Sequence, residues 1–147
     1  MANGYWFKSG QFKIQEGEEE ETNPGCYGKS LAEWISGEFS GLGYHTQVIA
    51  EDWGWCVMCT RGEYLLWIGC GSMFTDDIAA GSPENPPDAN EITWYVFTMI
   101  EVPFFMVKSL LKKWTGRLDL KTPLEKLKAE LDSVLASNKN LAFCDEP

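Results

Sequence analysis

The 147-residue chain has little of what most enzymes and nucleic-acid-binding proteins need. It contains one histidine, His45, and none of the phosphate loops, dinucleotide fingerprints, nucleophile elbows or metalloprotease helices that indicate a reaction. We therefore predict no catalytic residue and no cofactor, and we favour a binding protein while leaving an enzymatic site open as the alternative. Bases are also scarce: between residues 14 and 107, sixteen acids stand against Lys29 and Arg61, a net charge of −14. Such a surface repels phosphates, so we expect no nucleic-acid partner.

Long apolar runs are absent too. No run approaches the roughly 18 to 20 residues that span a bilayer. The first five residues lack the basic and apolar regions of a signal peptide. The cysteines are odd in number and scattered, which favours reduced thiols over a disulfide framework: Cys26, Cys56, Cys59, Cys70 and Cys144. These observations predict a cytoplasmic protein.

The closest pair of cysteines, Cys56 and Cys59, does not predict a redox or zinc site. The pair lies in an apolar run typical of a strand, where positions three apart point to opposite faces. The remaining cysteines and His45 show no ligand spacing, so we interpret the thiols as part of the core. Asp76, Asp77 and Asp88 lack the spacing of a calcium loop, and no metal site is predicted.

Apolar periodicity predicts a single α+β domain over residues 1–147. A helix follows the capping pair Asn23-Pro24 and stops at Gly41 and Gly43, and a capping box at 122–125 begins a C-terminal helix. Strands are predicted over Tyr5–Ile14, as a strand or a broken hairpin, and over Tyr44–Ala50, Trp53–Thr60, Tyr64–Gly71 and Ile92–Glu101. We expect a mostly antiparallel sheet of about five strands, packed with the helix of the N-terminal half and the C-terminal helix.

Three segments need a further interpretation. The acidic run Glu16–Glu21 repels itself and is expected to be a solvated loop. The proline-containing segment Ser72–Glu91 is predicted to be an irregular loop, and loops of this length are often functional. The strand Ile92–Glu101 is apolar on both faces, so either helices cover both faces of the sheet or a second subunit does, in a homodimer.

The most unusual local pattern is Glu51-Asp52-Trp53-Gly54-Trp55. If Trp53 and Trp55 point to one face of a strand, they form an aromatic patch beside two carboxylates, which suits a protein interface. The alternative is a tight turn that leads both tryptophans into the core. Asp76 and Asp77 of the long loop add to the acidic surface. The predicted partner-binding residues are Glu51, Asp52, Trp53, Trp55, Asp76 and Asp77.

Several segments together resemble a family of small standalone bacterial proteins without an assigned function. The resemblance spans nearly the whole chain and is carried by residues 23–28 (NPGCYG), 31–34 (LAEW), 51–56 (EDWGWC), 67–71 (WIGCG) and 101–105 (EVPFF). It implies a common organisation and assigns no catalytic residue. Immunity proteins that neutralise toxins are commonly acidic, aromatic-rich single domains of this size, which is an analogy of type.

These patterns support three hypotheses about function. The first is an acidic binding protein of the immunity or inhibitor type, with a basic toxin or effector as partner. The alternative is a small-ligand or enzymatic site between the loop 72–91 and the turn 69–72, with Asp76, Asp77 or Cys70 converging on a pocket. The third is docking of a short lysine-bearing helix, Phe104–Trp114, on a membrane surface. Three lysines on one short helix are a weak signal, so we expect no membrane partner.

Overall fold

The computed structural model describes residues 4–82 and 84–147. Residues 1–3 and Pro83 lie outside the described residues. The expectations on the N-terminus, on the long loop and on the single domain extend to these residues. The strands are β1 (Gly4–Lys8), β2 (Gln47–Glu51), β3 (Gly54–Arg61), β4 (Leu65–Ser72), β5 (Thr93–Glu101) and β6 (Ala142–Cys144). The helices are α1 (Glu18–Glu21), α2 (Lys29–Gly41), α3 (Asp76–Ala79), α4 (Val107–Trp114) and α5 (Lys121–Ser137), and a 3₁₀ turn spans Ala89–Glu91.

All strands join one antiparallel sheet in the order β2-β3-β4-β5-β1-β6. The predicted α+β class is therefore confirmed, with one strand more than expected. The additional strand, β6, pairs only with β1. Because it is three residues long, its sequence is too short to show an alternation of apolar and polar residues. A bulge between Met58 and Thr60 shifts the register of β3 against β4.

One face of the sheet carries the hydrophobic core. Helix α2 packs across β2, β3 and β4, and α5 packs on β5. Their buried stripes meet the inward side chains of the strands in one cluster, which includes Phe7, Leu31, Ile35, Phe39, Trp55, Val57, Leu66, Ile68, Trp94, Val96, Leu127, Leu131 and Leu135. Both long helices thus lie on the same side, and no long helix of the described residues packs on the other face of the sheet.

The composition of the acidic run predicts a solvated loop, and this prediction is wrong. The run is a structural element of the fold. Glu18 begins α1, and its side chain is 1% exposed. One carboxylate oxygen accepts hydrogen bonds from the backbone N–H groups of Gly28 (2.9 Å) and Lys29 (3.2 Å), and the other accepts from Gln15 (2.7 Å). The carboxylate therefore caps α2, whose first N–H groups lack partners within the helix. Asn23-Pro24, the predicted cap, precedes the helix by several residues.

The start of α5 is also capped differently from the prediction. The N-cap residue is Leu120 rather than Thr122, and the Asp119 carboxylate accepts hydrogen bonds from the backbone N–H groups of Lys121 (3.0 Å) and Thr122 (3.1 Å). The helix consequently begins before the predicted capping box. The hydrogen bond with the Thr122 side chain and those from the two backbone N–H groups lower the pKa of Asp119.

The long segment after β4 contains regular structure that its prolines conceal. Residues Asp76–Ala79 form α3, a single helical turn whose Ile78 is buried against the main core. Asp88 accepts a hydrogen bond from the backbone of Asn90 and begins the 3₁₀ turn. The prediction of a wholly irregular loop is therefore wrong. Across the described residues, no helix is both long and apolar enough to cross a membrane.

Candidate functional site

The face of the sheet opposite the helices is lined by aromatic side chains. Strand register places Trp67 beside Met99, Phe97 beside Gly69, and Tyr95 beside Trp6, all on the side away from the core. We call the cluster of these large side chains the aromatic face; it comprises Trp6, Trp53, Trp67, Tyr95, Phe97 and Met99. Met99 and Trp53 are 40% and 39% exposed, whereas the core residues on the other face are almost fully buried.

The rings of the aromatic face pack on one another in a continuous series. Trp6 stacks on Tyr95 and Tyr95 stacks on Phe97, each with ring centroids 5.0 Å apart. Trp53 then contacts Phe97 at 5.3 Å and Trp67 at 5.9 Å. Offset and tilted contacts of this kind hold aromatic side chains in fixed orientations. The surface is therefore ordered before any partner binds.

Glycine makes the flat arrangement possible. A Cβ atom added at Gly69 would lie 2.2 Å from the Phe97 ring, and one added at Gly4 would lie 2.2 Å from the Tyr95 ring. Both rings therefore lie directly over backbone that has no side chain, a close approach that only glycine permits. The glycines on the outer face of β1 and β4 therefore leave the space that the rings of β5 occupy.

The rings surround a shallow apolar concavity of about 440 Å³. Its lining consists of Trp53, Trp67, Gly71, Ser72, Tyr95, Phe97 and Met99. Walls of mostly aromatic residues, with Ser72 and Tyr95 as the residues that carry a hydroxyl, suit a flat or apolar group, with cations bound through the ring faces. This concavity reaches Gly71 and Ser72 at the end of β4, part of the segment 69–72 where the sequence predicts a turn and an alternative ligand site.

Carboxylates stand at the edge of the aromatic face. Glu101, exposed at the end of β5, accepts a hydrogen bond from the Trp67 indole N–H at 3.2 Å. Glu51 lies on the same side of the sheet, at the β2 edge. Burial raises the pKa of the Cys56 thiol on this face to about 12, and the negative charges of Glu51 and Glu101 add to the rise. The aromatic face is therefore bordered by negative charge on two sides.

The remaining predicted acids lie at one end of the sheet. Glu51 and Asp52 are exposed in the β2–β3 turn, and Asp76 and Asp77 are exposed in α3. The loop 23–26 connects the two regions, because the Asn23 side chain donates to the Asp52 carbonyl (2.8 Å) and the Ser72 hydroxyl donates to the Gly25 carbonyl (2.9 Å). The structure thus places both predicted acidic pairs around one loop.

A second, acidic concavity of about 780 Å³ lies beside that same loop. Its lining includes the glutamates of the α1 region and of the segment after α3, namely Glu16, Glu19, Glu20 and Glu84, together with Pro24 and Pro86. Glu19 also accepts a hydrogen bond from the backbone N–H of Gly25 at 2.7 Å, which holds the loop against α1. Negative charge is therefore dense at this end of the molecule.

The prediction that Trp53 and Trp55 share one face is wrong. Strand β3 begins only at Gly54, whose φ of 155° is a conformation that side-chain-bearing residues rarely adopt. Trp53 therefore leaves the strand and folds over the aromatic face, while Trp55 turns into the core at 3% exposure, with the Lys29 ammonium 5.1 Å from its ring centre. Of the two tryptophans, only Trp53 is available at the surface.

The sequence interpretation missed the three residues that build most of the aromatic face, Trp67, Tyr95 and Phe97. The signal that could have found them is the two-sided apolar pattern of β5. That pattern indicated cover by helices on both faces or by a second subunit. Instead the helices cover one face, and the other face is covered in part by its own stacked rings.

The five cysteines are unpaired, and three of them are buried. Cys59 belongs to the core on the helix side, whereas Cys56 lies on the aromatic face. Burial raises the pKa of Cys59 to about 12 and that of Cys70 well above the value of a free thiol. Cys70 is fully buried within β4 and is not presented on a turn. It does not line the concavity, and neither do Asp76 and Asp77.

Comparison with known proteins gives no assignment. The chain matches no protein-family model, no curated protein and no solved structure at a significant level. The family resemblance seen in the sequence therefore stays a prediction, and the function must be inferred from the structure alone.

Proposed function

We propose that the protein is a non-enzymatic binding protein whose aromatic face docks on a basic protein partner. In this proposal it acts as an immunity or inhibitor protein does, by covering a toxin or effector. The observation that supports the proposal is the stacked, partly exposed aromatic face without a helical cover, bordered by exposed carboxylates. Exposed apolar patches with a polar rim are typical of interaction sites.

The residue types support a protein partner. Tryptophan and tyrosine concentrate binding energy at interfaces, because they bury much area while losing little conformational freedom. Trp53 is half-exposed and its ring is already held by Trp67 and Phe97. Little ordering of these side chains is therefore needed on binding.

The charges support a basic partner. Glu51, Asp52 and Glu101 are exposed beside the rings, and the chain carries a net charge of −10. An arginine or lysine of the partner would stack on an indole while its charge meets a carboxylate. Complementary charge would also raise the association rate and make it depend on salt.

The thiols argue against an enzymatic role for this face. Cys56 is the buried thiol on the same side of the sheet as the rings, and with its pKa raised to about 12 it stays protonated at neutral pH. A cytoplasmic location is part of the proposal, since five unpaired cysteines suit a reducing compartment.

Site-directed crosslinking tests the proposal. A photo-crosslinking amino acid is incorporated at Met99, on the aromatic face, and in a control at Glu125, which is exposed on α5. We expect Met99 to give one defined adduct with a basic polypeptide in extracts of cells that express the protein, with a yield that falls as salt rises. Equal adducts from both positions, or an acidic partner, would contradict the proposal.

A binding assay with the partner so identified then measures the contribution of the rings. Trp53→Ala is expected to weaken binding about thirtyfold or more, the effect of losing an interface anchor. Leu42→Ala is the matched control, because Leu42 is 49% exposed at the end of α2, away from the aromatic face. A dimer of the free protein that Trp53→Ala dissociates would indicate instead that a second copy occupies the face.

The 440 Å³ concavity supports one alternative, a small-ligand site beside residues 69–72 of β4. Its lining favours a flat aromatic or cationic molecule, but the carboxylates and the thiol expected to converge there do not line it. Thermal-shift screening of flat cationic compounds separates the two proposals. A compound that raises the melting temperature of the wild type and not of Trp53→Ala, with no protein adduct at Met99, would favour the alternative.

A further inference from the structure

Beyond the proposed function, the structure points to a second interaction surface: we propose that the segment 104–117, which contains α4, docks on an anionic lipid surface. The first observation is exposure. Of the ten exposed large apolar side chains in the described part of the chain, five belong to this segment, among them Phe104 (85%) and Trp114 (73%). Their apolar area stays in water unless something outside the chain covers it.

The orientation of α4 strengthens the argument. Val107, Leu111 and Trp114 are spaced along one side of the helix and are all exposed. The side that faces the protein instead carries the buried Ser109 and the half-buried Leu110. An ordinary surface helix turns its apolar stripe toward the core, so this helix is oriented for an external apolar phase.

The charge of the segment identifies that phase as anionic. Residues 102–118 contain four bases and no acid, a net charge of +4, so the rest of the chain carries −14 against the total of −10. The bases are Lys108, Lys112, Lys113 and Arg117. Lys112 pairs with Glu63, whereas the other three make no ion pair with any described residue. Their positive charge is therefore available to lipid phosphates.

The shape favours a bilayer over a protein groove as the occupant. Phe104 and Phe105 precede the helix and are both exposed, so the apolar surface continues past its N-terminal end. Helix α4 has only sparse contact with the other elements, so little of this apolar surface is covered by the protein itself. Aromatic and leucine side chains flanked by lysines are the composition of helices that lie in the membrane interface. Eight residues of helix, about 12 Å long, would lie in the plane of the surface.

Sedimentation with vesicles tests the proposal on the full chain. The protein is expected to sediment with vesicles that contain about a quarter phosphatidylglycerol and not with vesicles of phosphatidylcholine alone. The triple variant Phe104→Ser, Phe105→Ser, Trp114→Ser should bind at least about tenfold more weakly. Because these side chains are exposed, its circular dichroism and melting temperature should match the wild type.

Charge variants supply the matched comparison. Lys108→Gln, Lys113→Gln, Arg117→Gln should weaken vesicle binding on the order of a hundredfold, about fivefold for each charge. The control Lys13→Gln, Lys121→Gln, Lys139→Gln removes as many exposed charges elsewhere and should change binding much less. Trp53→Ala should leave vesicle binding unchanged, which separates this surface from the aromatic face.

Three results would overturn the proposal. They are failure to sediment with the anionic vesicles, an equal loss in both charge variants, and a dimer in solution that the serine variant dissociates. The last would show that a second copy of the chain covers the segment.

Discussion

Replacing Glu18 with alanine is expected to destabilise the fold strongly, although the residue belongs to a run of glutamates whose composition predicts exposure to solvent. Its carboxylate is buried and accepts three backbone hydrogen bonds, from Gln15, Gly28 and Lys29. Alanine removes the acceptor and leaves those N–H groups without a partner. It also removes a negative charge from the N-terminus of α2, where the helix dipole favours one.

The magnitude depends on the burial of the three donors. A buried donor left without an acceptor costs about 1–3 kcal/mol. The Gly28 bond is fully buried and should carry that cost in full, whereas water can replace part of the other two. The sum is roughly 3–5 kcal/mol. For a domain of about 150 residues this lowers the melting temperature by roughly 6–20 °C, on a scale of about 2–4 °C per kcal/mol.

Urea denaturation followed by tryptophan fluorescence measures the change in the free energy of unfolding. Glu20→Ala is the matched control, since Glu20 is exposed in the same helix and its loss should stay within about 0.5 kcal/mol. Glu18→Gln keeps one acceptor oxygen and should fall between the two. If Glu18→Ala and Glu20→Ala agree within about 1 kcal/mol, the capping role assigned to Glu18 is refuted.

Other consequences are open to measurement. Gly69→Ala should cost about 1–3 kcal/mol because its Cβ meets the ring above it. By contrast, Gly37→Ala, with open space in α2, should gain about 0.5–1 kcal/mol; equal effects in denaturant melts would contradict this. In the native protein, a thiol reagent should label Cys144 readily and Cys26 more slowly, since burial raises the pKa of Cys26. All five thiols should react only after denaturation. Rapid labelling of more than two thiols in the native protein would count against the raised pKa values. Ultraviolet titration, with Tyr44→Phe subtracted, should show Tyr44 ionising near pH 12, because burial and a hydrogen-bonded carboxylate raise its pKa to about 12. The stability that this raised pKa contributes is complete below the unfolded value of about 10 and is lost as the pH rises from there toward 12; ionisation near 10 in the folded protein would rule it out.

Much of the fold could be predicted from local pattern. The C-terminal end of α2 coincides with Gly41, and the observed strands at 54–61, 65–72 and 93–101 differ from the predicted ones by at most one residue at either end. Periodicity identifies such elements because it records which side chains must leave water together. The short elements α1, α3 and β6 were not predicted, since three or four residues contain too few repeats of the helical or the strand period.

The candidate site was predicted only in part. Trp53 belongs to the aromatic face and Glu51 and Asp52 lie beside it, as the local pattern predicts. Trp55 was assigned to the wrong side because the turn at Gly54 interrupts the strand alternation. The partners of Trp53 are Trp67 and Phe97, which come from β4 and β5. The residue pattern within the segment 51–55 contains no information about these contacts with distant strands.

The sequence by itself determined the α+β class, most of the elements and the uneven distribution of charge, because each depends on the composition and periodicity of neighbouring residues. Only the tertiary structure decided which face of the sheet the helices cover, and hence that Trp53, Tyr95 and Phe97 are left together on the other. It likewise decided that Glu18 is a buried cap and that α4 turns its apolar side outward. These outcomes depend on contacts between segments far apart in the chain, where strand pairing and packing select one arrangement among several that the local pattern allows equally.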